Sequence, residues 1–71
     1  MINKKELKKA LVLHDVSVQM LADAAKVSVA TVYRWLANPE RMNIGNVELI
    51  KEITQMDRDE FMRIFYAETV A

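Results

Sequence analysis

No cysteine occurs among the 71 residues, which excludes disulfides and thiolate metal sites and suits a reducing compartment. A single domain this short must rely on dense helix packing or self-association, because a core of this size is near the lower limit for independent folding. Glycine and proline occur once each, at Gly45 and Pro39, so no glycine-rich loop is present to cradle a phosphate. No apolar run approaches the ~18 residues of a spanning helix, and Lys4, Lys5, Lys8 and Lys9 interrupt the N-terminal segment, so neither a membrane span nor a signal peptide is expected. His14 is the sole histidine and falls on the apolar stripe of its helix, a place for packing or capping and not for catalysis. Asp57, Asp59 and Glu60 begin like a calcium loop but lack the glycine its turn requires. Neither enzyme activity nor a cofactor or metal is expected.

What the chain has in abundance is Ala, Leu, Met, Glu and Lys, a helical composition with no sustained strand-like alternation, so the expected class is all-α. Capping residues divide it into five helices. Asn3 with Glu6 three residues on is a capping-box pattern opening a helix from about Lys4 to Leu13, with Leu7, Ala10, Leu11 and His14 on its buried stripe. Ser17 opens a second helix to about Ala25, and Ser28 a third to about Ala37, where Asn38 and Pro39 stop it. Asn43 opens a fourth to about Gln55, and Asp57 with Glu60 repeats the capping-box pattern for a fifth to about Ala67. Ile44, Val47, Ile50 and Ile53 on the fourth and Phe61, Ile64 and Phe65 on the fifth are expected to be mainly core. The chain reads as one domain, residues 1–71.

Zero net charge conceals an uneven distribution. Residues 1–36 carry six basic side chains against three acidic, and residues 37–71 carry four against seven. Such asymmetry suits a molecule with one end toward an anionic partner and the other toward solvent or protein.

The second and third helices are separated by about three residues, and Leu21, Ala25, Val27, Val32 and Trp35 fall inward with Ala22 as the small residue at the crossing. The stretch VQMLADAAKVSVATVYRWLA, with the motif over residues 17–37, resembles the helix-turn-helix of the lambda-repressor-like, or XRE, family of small bacterial and bacteriophage regulators. The resemblance implies a compact five-helix lambda-repressor-like domain in the cytoplasm of a bacterial host, acting in transcriptional control of a phage lysis or lysogeny decision. Two positions depart from the family pattern. Lys26 stands where the turn usually has Gly, implying a left-handed lysine at a cost of ~1 kcal/mol, and Val29 and Ala30 replace long polar residues at the start of the recognition helix.

Carried over residue by residue, the family's groove-facing positions are Ser28, Val29, Ala30, Tyr33 and Arg34. Arg34 has the fork that reads guanine, and Val29 and Ala30 can pack on thymine methyls. Lys4, Lys5, Asn43 and Gly45 are candidate phosphate contacts. Operator DNA read in a Cro-like manner is one expected partner. The same face, with Ala37 added, is apolar and aromatic enough to grip a protein, which makes the cognate phage repressor the other expected partner of an anti-repressor. Met62 and Tyr66, four apart on the fifth helix, are a candidate homodimer face.

Overall fold

Every helix start is fixed by a side chain of the kind the sequence offers. The computed structural model describes residues 2–66 as α1 (Lys4–Leu13), α2 (Val18–Ala25), α3 (Val29–Ala37), a 3₁₀ turn (Pro39–Arg41), α4 (Ile44–Thr54) and α5 (Arg58–Phe65), and no strand occurs among them. Asn3, Ser17, Ser28, Asn43 and Asp57 each accept the backbone N–H three residues on, at 3.1, 3.1, 3.2, 2.8 and 2.8 Å. These bonds satisfy donors that the first helical turn leaves unpaired.

Neither expected capping box closes, because in each a tertiary partner takes one of its two groups. The Asn3 N–H donates to the Ile64 carbonyl at 2.8 Å, and Glu6 turns instead to Lys9 at 3.6 Å. Glu60 is held by His14, whose Nε2 lies 2.9 and 3.1 Å from the two carboxylate oxygens. A reciprocal cap forms at Ser17, where the Met20 sulfur accepts the Ser17 N–H at 3.5 Å.

With one glycine in the chain, helix ends fall to ordinary residues. Asp15, Lys26 and Gln55 adopt left-handed φ values of 57°, 59° and 56°. After α1 the Val16 N–H reaches back to the Leu11 carbonyl and Asp15 to that of Val12, and after α2 Val27 reaches Ala22 and Lys26 reaches Asp23. Both pairs form the Schellman motif, with an apolar residue following the left-handed one. Gln55 ends α4 one residue earlier than expected. The fifth helix ends at Phe65, and Ala67, its expected end, lies outside the described residues.

Leu7, Leu21, Val32, Ile50 and Ile64 are fully buried and centre one cluster that includes Trp35, Leu36, Met56 and Phe65. The only buried polar side chain among the described residues, Thr54, donates its hydroxyl to the Ile50 carbonyl at 2.7 Å. Two expected core positions are instead exposed. Ile44 opens α4 on its solvent side and is 74% accessible, and Val27 follows the left-handed Lys26 at the surface of the turn. The terminal helices α1 and α5 run antiparallel, joined by the Asn3–Ile64 bond at one end and the His14–Glu60 pair at the other.

Trp35→Ala is expected to cost ~3–5 kcal/mol, since its ring fills the buried cluster, and thermal denaturation followed by circular dichroism measures it. Lys26→Gly is expected to stabilise by up to ~1 kcal/mol, because relief of the left-handed strain exceeds the entropy that glycine loses on folding. A rise of the melting midpoint by a few degrees is the readout, and a fall would show that the lysine makes a contact outweighing its strain.

Candidate nucleic-acid interface

The α2 and α3 helices are connected by Lys26, Val27 and Ser28, and each has a distinct task. Lys26 reverses the chain, Val27 returns its N–H to α2, and Ser28 caps α3. Leu21 and Ala22 of α2 share the buried cluster with Val32, Trp35 and Leu36 of α3, so one side of α3 is packed inward and the opposite side is presented to solvent.

The exposed side carries Ala30, Tyr33, Arg34 and Ala37, four of the six residues expected there, with Tyr33 59% accessible. Ser28 is also exposed, but its hydroxyl is engaged by the Thr31 N–H and lies 3.1 Å from the Thr31 hydroxyl. Val29 departs from the expected outward position. It is half-buried and packs against the core, because positions 29, 32 and 36 fall on one stripe of α3 and the last two are buried. The first turn of the face therefore presents Ala30 and not Val29.

Basic groups gather toward the C-terminal half of α3. The Lys4 ammonium donates to the Ala37 carbonyl at 3.3 Å, placing a cation at the negative end of the helix dipole. Lys8 borders the same side beside Tyr33 and Ala37, while Arg34 and Arg41 line a shallow hollow with Thr31 and Asn38. No acidic residue lies on the exposed face of α3. Arg41 and Lys8 were not among the residues expected at the site. The Asn38–Pro39 pair, which ends one helix and opens a 3₁₀ turn, is the local signal that brings Arg41 back toward α3.

Lys5 is exposed in the first turn of α1. Asn43 and Gly45 are exposed at the start of α4, where the Asn43 oxygen is committed to the Asn46 N–H at 2.8 Å. The N–H groups of Ile44 and Gly45 have no hydrogen-bond partner among the described residues, which leaves two backbone donors at the positive end of a helix. A Cβ at position 45 would lie 3.3 Å from the Asn43 side-chain oxygen, so glycine keeps the cap uncrowded. Met62 and Tyr66 are exposed, but Tyr66 alone borders the groove between α4 and α5.

Among the described residues no cluster of three or more His, Cys, Asp and Glu side chains is arranged to hold a metal, and no helix is long and apolar enough to cross a membrane. Comparison with protein-family models, curated proteins and solved structures finds no match to this chain.

Tyr33→Ala and Arg34→Ala are expected to leave stability within ~0.5 kcal/mol of the parent, since both side chains are exposed, whereas Val29→Gln is expected to cost ~1–2 kcal/mol. Urea denaturation of the three variants tests the phase of α3. A Val29→Gln variant as stable as the parent would place Val29 on the solvent face after all.

Proposed function

We propose that the chain is a helix-turn-helix transcriptional regulator of the lambda-repressor-like kind that binds operator DNA in a Cro-like manner, within a phage lysis or lysogeny switch. The observation that carries this reading is the exposed face of α3, which combines Tyr33 and Arg34 with the small Ala30 and Ala37 and bears no carboxylate. A helix must bring its backbone close to the base edges to lie in a major groove ~12 Å wide, and alanines on the leading face permit that approach. Arg34 supplies the bidentate group for guanine, and Tyr33 a hydroxyl for a base or phosphate. The unpaired amides at the start of α4, with Lys4, Lys5 and Lys8 along α1, supply phosphate contacts that set the register.

A second reading draws on a different observation. Tyr33 and Ala37 continue into a mostly apolar groove of about 500 Å³ shared with Val12, Val18 and Leu36, more apolar surface than a phosphate backbone can use. Under that reading the same face binds the cognate phage repressor protein and acts as an anti-repressor.

Titration of the protein against the promoter region of its own gene, with and without the neighbouring repressor, separates the two. For a Cro-like regulator the logarithm of affinity is expected to fall with the logarithm of salt at a slope of about −0.9 per phosphate neutralised, and Arg34→Ala to lose ~1–3 kcal/mol of discrimination against non-specific duplex. Binding to the repressor with none to duplex at low salt would replace the DNA reading by the anti-repressor one. The absence of both would refute both.

A further inference from the structure

Outside the α3 face, the largest exposed apolar side chains fall mainly into two sets. One is a ridge at the end of α1, where the consecutive Val12 and Leu13 are 77% and 73% accessible. The other is the mouth of the groove between α4 and α5, where Ile44 is 74% and Tyr66 60% accessible above a floor that includes Val47 and Phe61. Neither set is explained by the core, and consecutive aliphatic residues left in water are costly unless something covers them.

The charges around the two sets are opposite. Lys8, Lys9 and Arg63 surround the ridge, and the carboxylates beside it, Glu6 and Glu60, are already engaged by Lys9 and His14. Glu48 and Glu52 border the groove, and Lys51, the one cation lining it among the described residues, lies over the Phe61 ring at 5.1 Å from the centroid. This is the three-dimensional form of the split between a basic N-terminal half and an acidic C-terminal half. The ridge and the groove lie on different flanks of α5, so one molecule cannot seat its own ridge in its own groove.

We infer that the occupant of each surface is a second copy of this chain, joined head to tail, with the Val12–Leu13 ridge of one molecule in the α4–α5 groove of the next. Leu13 covers Ile44 and Tyr66, and Lys8 approaches Glu48 and Glu52. The contact is heterologous: each junction leaves a free ridge at one end and a free groove at the other, so the assembly grows into a ring or an open row. It borders the α3 face, since Lys8 and Val12 also line the groove beside Tyr33 and Ala37, but it does not rest on DNA binding.

Sedimentation of the full chain without DNA tests this, using Leu13→Gln and Ile44→Gln, two exposed changes whose folds are verified by circular dichroism and which add no charge. The parent is expected to associate with rising concentration and less so in high salt. Each variant alone is expected to associate at least about tenfold more weakly. Mixed together, the two variants are expected to recover the parent affinity and stop at a heterodimer, because the intact ridge of one meets the intact groove of the other. A parent that stays monomeric up to about millimolar concentration overturns the inference. So does a Leu13→Gln variant that associates as the parent does, or a mixture that shows no rescue.

Discussion

The left-handed turn at Lys26 decides where α3 points, and the rest of the candidate interface follows from that direction. The Val27 N–H returning to Ala22 closes α2, and Ser28 opens α3 two residues after the reversal. Only with this short connection can Leu21 and Ala22 bury Val32, Trp35 and Leu36 while Tyr33 and Arg34 remain in water. The strain of a non-glycine residue in this conformation is offset by packing on both sides of it. Asp15 and Gln55 repeat the solution at two other helix ends, so the direction of three helices depends on non-glycine residues held in a left-handed conformation, of which only Asp15 is of a type that readily adopts it.

Long-range polar contacts then fix the outer helices around that centre. The Asn3–Ile64 bond and the His14–Glu60 pair hold α1 to α5, and Lys4 reaches the end of α3. The His14–Glu60 pair is part-buried, and it commits the single histidine to architecture. Through these ties the cations of α1 are carried to the side of α3, which is how a chain of zero net charge acquires a locally basic surface.

The helix starts were legible in the sequence because an Asn, Ser or Asp cap acts on an N–H three residues away and needs no knowledge of the fold. All five caps lie at the expected residues. Partner choice was not legible. Glu6 and Glu60 stand at capping-box spacing, yet the groups that keep the boxes open, Ile64 on the Asn3 N–H and His14 on Glu60, are far away in the chain. Val29 was misplaced because the family's groove-facing pattern was carried over against the helical stripe of 29, 32 and 36, and Ile44 because it occupies the first position of α4, where the direction of entry decides which way the side chain faces. Of the candidate interface, Ala30, Tyr33 and Arg34 came from the helix-turn-helix resemblance and Ala37 from the apolar character of the same face, whereas the approach of Lys8 and Arg41 depends on how α1 and the 3₁₀ turn pack.

The antiparallel pairing of α1 and α5 also has a mechanical consequence. Its two polar ties sit at opposite ends, with Asn3–Ile64 next to the points where the chain enters α1 and leaves α5. Tension applied through those two points meets the Asn3–Ile64 bond together with the Ile2–Glu40 and Lys4–Ala37 contacts at the same end, and only then reaches His14 and Glu60. A fold arranged in this way yields by unzipping from that end, even when its resistance to heat or urea is that of a well-packed domain, and the Lys4–Ala37 contact passes the pull early to the end of α3.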